Sequence, residues 1–182
     1  MSEGDTAQAP VPDAGHGPNP DAGHPPNPGA GHPPVALASG GDALAVAGRL
    51  LHDFNTEYHE PTPAAAALAV RLAQLVADGS TEVLLVGDAD GLAVLRFRPS
   101  LWSLADECYL AELYVVPARR GDGLGRALLR ACIGRARQRG CDFIDLSTSE
   151  DDVAARHLYE SHGFRRTEGD GGPLAFHYER EL

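Results

Sequence analysis

Lysine is absent: all 15 basic residues of the 182-residue chain are arginine. A nucleotide-binding P-loop ends in a lysine, and Schiff-base and pyridoxal chemistry need a lysine amine, so these classes are excluded. Cysteine is scarce. Cys108, Cys132 and Cys141 form no C-x-x-C pair and no metal-ligand spacing, so reduced thiols used for packing are expected, with no metal. Positive charge is also short, the formal net charge being -11, which argues against a nucleic-acid partner because phosphate neutralisation needs clustered cations. A cationic partner suits that balance better. No apolar run is long enough to span a bilayer, and the first residues lack the apolar core of a secretory signal. No membrane association is therefore expected, and a cytoplasmic location is.

Residues 1–34 carry no arginine and are rich in Pro, Gly, Ala and Asn. An eight-residue unit, Asp-Ala-Gly-His followed by Gly-Pro-Asn-Pro or Pro-Pro-Asn-Pro, starts at Asp13 and Asp21 and returns in part at Gly29. Such a segment has little apolar surface to bury, so a disordered tail is expected. Its histidines, His16, His24 and His32, read as incidental to a solvated linker, since no rigid geometry holds them as ligands. Residues 35–182 read as one domain.

The most informative stretch runs from Glu112 to Leu129. A β-branched strand ends at Val115-Val116-Pro117, and a turn with Gly121, Gly123 and Gly125 leads into an amphipathic helix. Glycines allow a sharp turn and close approach of a ligand, and the amides at the start of the helix face an anion. Arg120 adds a cationic fork. The dinucleotide fingerprint G-x-G-x-x-G fails, because the sixth position from Gly121 is Arg126.

The run resembles motif A of the GNAT superfamily of acetyl-CoA-dependent N-acetyltransferases, R/Q-x-x-G-x-G/A, met by Arg120, Gly123 and Gly125 after a V-x-P strand end. Some residues on, Asp152 to Phe164 resembles motif B, N-x-x-A-x-x-L-Y-x-x-x-G-F. The likeness covers about Val35 to Leu182 and is strongest from Leu110 to Phe164.

Periodicity alone indicates a mixed α/β or α+β chain. A short strand at Val35–Ala38 precedes a helix N-capped by Asp42, and a second helix runs from Ala64 to Ala77. A hairpin pairs Val83–Val86 with Leu92–Phe97, and a strand covers Glu107–Val116. The cradle helix then reaches Gly140, Phe143–Ser147 is a buried strand, and Asp151–His162 is a helix. Strands at Phe164–Arg166 and Ala175–Arg180 complete the sheet. The resemblance implies an α+β GNAT fold: a central, mixed, splayed sheet with helices on both faces.

It also implies a site. Leu113, Tyr114 and Val115 would offer backbone groups to the pantetheine end of acetyl-CoA. Gly121, Asp122, Gly123, Leu124, Gly125 and Arg126, with Arg120, would hold its pyrophosphate, and Asp152 adds a cofactor contact. Asp152 stands where the family often has asparagine, and an ionised carboxylate accepts hydrogen bonds but donates none. Acyl transfer needs a neutral amine. With a pKa near 10.4, about 1 alkylamine in 2,500 is neutral at pH 7, and deprotonation costs roughly 4.6 kcal/mol. Glu112, which interrupts an apolar strand, is the candidate base, and Tyr159 of motif B the candidate acid for the departing thiolate. Glu112 could equally be a solvent-facing strand carboxylate, and Tyr159 a packing residue. His162 is assigned no catalytic role. Phe54, Glu57, Tyr58 and Trp102 supply aromatic faces and a carboxylate suited to an ammonium acceptor.

The expected activity is therefore acetyl transfer from acetyl-CoA to a primary amine of a small molecule, such as an aminoglycoside, polyamine or amino-acid derivative. A protein N-terminal acetyltransferase, and a non-catalytic acetyl-CoA sensor or partner-binding module, remain open alternatives. So does a homodimer.

Overall fold

A computed structural model describes residues 34–180; the tail of sequence repeats, up to residue 33, lies outside the described residues. The elements are β1 (Val35–Leu37), α1 (Gly40–Glu57), α2 (Ala65–Ala77), β2 (Thr81–Val86), β3 (Gly91–Pro99) and β4 (Asp106–Val115), then α3 (Leu124–Gln138), β5 (Cys141–Asp145) and α4 (Val153–Glu160). The five strands form one sheet in chain order. Neighbours are antiparallel except β4 and β5, whose parallel pairing uses α3 as the crossover.

Both faces of the sheet are covered, which explains the near-continuous apolar runs of β2 and β3. Leu84, Val86, Ala93 and Leu95 pack with α3 and Tyr159 of α4. Val83, Leu92, Val94 and Tyr114 pack with Ala47 and Leu50 of α1 and Leu72 of α2. On α3 the buried residues Leu124, Leu128, Leu129, Cys132 and Ala136 make one stripe at helical spacing. Leu124, the first residue of that helix, is only 1% exposed. Burying such a leucine contributes about 1.5–3 kcal/mol, so the start of α3 is anchored directly to the core. Near the other end, Arg135 makes a bidentate pair with Glu82 of β2 at 2.6 and 2.7 Å.

Several expectations need correction. Asp42 does not cap α1; the cap position is Ser39, in extended conformation, and Asp42 lies in the first turn, where its charge favours the helix dipole. The strand expected at Phe143–Ser147 is β5, Cys141–Asp145, and it is not buried: Phe143 is 48% exposed. The reason is the fate of the two terminal strands. Among the described residues neither Phe164–Arg166 nor Ala175–Arg180 forms a strand, and the segment closes on itself through one bridge, Thr167 with Leu174. Alternation in Leu174, Phe176 and Tyr178 marks extended chain but does not choose a partner, and these side chains are exposed.

Cys108 and Cys132 are fully buried, and burial pushes both thiols up to about 12. They stay protonated at neutral pH, which fits packing rather than nucleophilic attack.

The crossing of α1 and α2 generates a stability prediction. A Cβ on Gly48 would lie 2.5 Å from the Ala65 carbonyl oxygen and 2.7 Å from the Ala69 nitrogen, both backbone atoms of the facing helix. Alanine would add up to about 1 kcal/mol of helix propensity, but forcing two helices apart costs about 1–3 kcal/mol. Gly48→Ala is therefore expected to lower the urea midpoint at unchanged m-value; a midpoint above wild type would show that the crossing relaxes freely.

Candidate active site

β4 sets the geometry. Its parallel pairing with β5 covers Asp106 to Tyr109 and then stops, while β4 continues along β3 to Val115. The register passes from Leu95–Leu110 to Val94–Glu112, so Ala111 is skipped and the strand bulges. From Leu110 onward the β5 side of β4 has no strand neighbour among the described residues. Backbone groups on that side are left for a ligand or water.

The chain then turns through Pro117–Arg119 in a single 3-10 turn and enters α3. Gly121 and Gly123 have φ of 86° and 78°, a region that favours glycine. Gly123 is the cap residue of α3, and no side chain caps that helix. Its first amides are therefore offered outward. Gly125 marks a convergence: a Cβ there would lie 3.5 Å from Leu158 of α4, 3.9 Å from Val115 and 4.0 Å from Leu113. The uncapped helix start, the unpaired stretch of β4 and α4 thus meet at one point. Such a cradle fits a pyrophosphate at the helix and an extended amide-bearing arm along the strand. Among the described residues there is no cluster of His, Cys, Asp or Glu that could hold a metal ion.

Tyr159 is 9% exposed and packs 5.9 Å from the Phe164 ring. Burial, helped by the nearby Asp152, Cys132 and Glu112, pushes its hydroxyl up to about 12, so it remains a proton donor at neutral pH. Glu112 stands opposite Val94 and is half-buried; burial raises its carboxyl above the ordinary 4.5. Asp152 caps α4, its Oδ1 accepting from the Ala155 amide at 2.9 Å. That bond accounts for one carboxylate oxygen. His162 closes the same helix, Nδ1 donating to the Leu158 carbonyl at 2.9 Å, which accounts for it without catalysis.

The cationic fork does not stand free over the glycines. Arg120 pairs with Glu57 at the end of α1, Nη1 to Oε1 at 2.7 Å and Nη2 to Oε2 at 2.9 Å, and its Nε donates to the Val115 carbonyl at 3.0 Å. Tyr114 donates to the same carboxylate at 3.1 Å. The Arg120 bonds hold the Glu57 carboxyl below 4.5. A depressed carboxyl contributes stability that is present above its ordinary value and lost as pH falls through the lowered one. Phe54 lies 5.1 Å from Tyr58 and 5.4 Å from Tyr114, so three of the four expected acceptor residues, Phe54, Glu57 and Tyr58, form one group.

Trp102 does not join them. It lies in the loop before β4, 92% exposed, and its neighbour Ser103 bonds Asp142 of β5. β4 has ten residues, so the two ends of the strand are about 30 Å apart and Trp102 belongs to the far one. Leu124 is in the core, leaving only its backbone to the cradle, while Arg126 is exposed. A groove of about 480 Å³ lined by Ile133, Arg137, Phe143, Asp145 and Phe164 includes none of the cradle residues; it follows β5.

One supporting residue escaped the sequence reading. Arg119 binds Asp90 of the β2–β3 turn at 2.7 Å and Asp122 of the cradle at 2.9 Å, tying the hairpin to the glycine turn. The doubled arginine was visible, but its partner 29 positions away was not.

Comparisons with known proteins agree with this geometry. The crystal structure of a protein from Arthrobacter sp. FB24, assigned as an acetyltransferase, is 42% identical and superposes with a TM-score of 0.76, covering 84% of this chain and 98% of that one. A mycothiol acetyltransferase from Thermobispora bispora is 48% identical over 60 residues, 31% of this chain and 20% of that protein. A streptothricin acetyltransferase from Streptomyces lavendulae is 32% identical over 88 residues, 48% of this chain and 46% of that one. The chain thus spans less than half the length of either curated relative. The model of the Acetyltransferase (GNAT) family matches residues 49–164, more than half of the chain, and with the sheet, the cradle and both motifs in place the chain belongs to that family.

Proposed function

We propose that this chain transfers an acetyl group from acetyl-CoA directly to a primary amine of a small molecule. One observation carries the reading: the unpaired stretch of β4, the uncapped start of α3 and the tyrosine-bearing α4 converge at Gly125. Acetyl-CoA, when bound, supplies a thioester carbonyl to attack and a thiolate leaving group. The chain's own task is to hold, orient and move protons. Backbone amides from Gly121 to Arg126 face the pyrophosphate, and Leu113 to Val115 offer backbone groups on the edge turned away from β3 to the pantetheine arm. Glu112 takes a proton from the ammonium, directly or through water, and its raised carboxyl makes it a stronger base than an exposed glutamate. With acetyl-CoA held there, the neutral amine would bond to the carbonyl carbon as the carbon–sulfur bond breaks, Tyr159 would give its proton to the departing sulfur, and the second proton lost by the nitrogen as the amide forms would restore the Tyr159 hydroxyl through solvent.

A small, cationic acceptor is supported by Phe54, Tyr58 and Tyr114 around the Glu57 carboxylate. The relatives named for mycothiol and streptothricin support a small-molecule acceptor. A thiol-release assay with acetyl-CoA against a panel of small amines and peptides tests the proposal; release with peptides alone would redirect it to protein N-termini.

Three substitutions test the roles. Gly123→Asp puts a side chain at φ 78° and a negative charge at the helix start, so coenzyme A affinity by calorimetry is expected to fall at least about tenfold. Unchanged affinity would remove the cradle from the site. Tyr159→Phe keeps the ring and removes the proton: kcat should fall about 10²- to 10⁴-fold at near-constant coenzyme A affinity, and a loss under about threefold in a chemistry-limited assay would make the residue a packing element. For Glu112→Gln, kcat/KM should drop most below the amine's own pKa and recover in part as pH rises. The wild-type acid limb should lie above 4.5, because a base works only when deprotonated and burial raises this one. A variant profile parallel to wild type at every pH would leave water as the base.

A further inference from the structure

Arg120 is positioned to serve the cradle, since Gly121 follows it directly, yet each end of its guanidinium is already engaged. Both terminal nitrogens bind Glu57, at 2.7 and 2.9 Å, and Nε binds the Val115 carbonyl at 3.0 Å. The carboxylate is equally committed, to Arg120 and to the Tyr114 hydroxyl at 3.1 Å. The pair bridges two different parts of the molecule: the last residue of α1, among the aromatic side chains Phe54, Tyr58 and Tyr114, and the residue that opens the glycine turn. It is also accessible, with side chains 43% and 28% exposed for Arg120 and Glu57. An ion pair at that exposure is screened and exchangeable, whereas a guanidinium on a phosphate makes shorter, charge-assisted, bidentate bonds.

We propose that Glu57 and Arg120 form an exchangeable latch: Glu57 holds the guanidinium away from the cradle, and the pyrophosphate of the cofactor draws it across, leaving the Glu57 carboxylate unpaired. The inference rests on the acetyl-CoA reading above. The exchange couples two sites through one ion pair. The cofactor gains a cation, and the aromatic group at the end of α1 gains a carboxylate freed of its cation and held only by the Tyr114 hydroxyl, the composition that holds an ammonium. By linkage, whatever disfavours the Glu57–Arg120 pair must tighten the cofactor, and the reverse. Glu57, though it need not touch the cofactor, then sets its affinity.

The test is a double-mutant cycle read by calorimetric titration with coenzyme A, which needs no acetyl transfer and no known acceptor. Thermal melts confirm that each variant is folded. Glu57→Gln should tighten coenzyme A about three- to tenfold, because the guanidinium is released without competition, and Arg120→Gln should weaken it by a similar factor. In the Arg120→Gln background, Glu57→Gln should change affinity by less than about 1.5-fold, since there is no cation left to release. Tightening of equal size in both backgrounds would mean only that a negative charge near an anion site was removed, and it would overturn the latch. So would unchanged or weaker binding by folded Glu57→Gln. If wild type itself fails to bind coenzyme A, the functional reading falls, and the latch with it.

Discussion

Everything at the candidate site depends on β4 parting from β5 after Tyr109. A buried strand edge without a partner leaves backbone donors and acceptors unsatisfied, at about 1–3 kcal/mol for each group sealed from water. The chain accepts that exposure along Leu110 to Val115 and uses a bulge at Ala111 to hold β4 on β3 while its other edge opens. β4 can afford to lose one neighbour because the other remains paired along its whole length and because Tyr114 and Leu110 are buried on opposite faces.

The cradle inherits its rigidity from the same region. Gly121 and Gly123 make the turn possible, but glycines alone would leave it loose. What fixes it is Leu124, buried at the first position of α3, together with Arg119, which ties Asp122 to Asp90. Helix amides can act as a preorganised anion site only when the helix start is held in place, and here a leucine in the core and an arginine on the surface hold it from both sides.

The parts of this arrangement that were legible in the sequence are the local ones. Turn glycines, the V-x-P strand end and the apolar stripe of α3 depend on residues within a turn or two of each other, and they were read correctly from spacing. The group Phe54, Glu57 and Tyr58 was legible for the same reason, since one helix end carries all three. Trp102 was misplaced because its distance from the cradle is the length of β4, which spacing in the chain does not convey. The pairing of the Arg120 fork with Glu57 was not legible, because that partner lies 63 positions earlier. The terminal strands failed on a further count: alternation in Leu174, Phe176 and Tyr178 records a preference for extended chain, while pairing requires an edge in register.

Charge poses the remaining physical question, since a chain with a net charge of -11 is an unpromising host for a polyanionic cofactor. Long-range attraction cannot supply the affinity; at physiological salt the field of distant carboxylates is screened within about 8 Å. Binding must then be local, and the two adjacent arginines bear on the local charge. Arg119 binds both Asp122 and Asp90 and so offsets part of the negative charge that the glycine turn would otherwise present. Arg120 stands next to the glycine turn with its charge balanced by Glu57 at the end of α1. A site made of backbone amides and locally paired side chains needs no net positive patch.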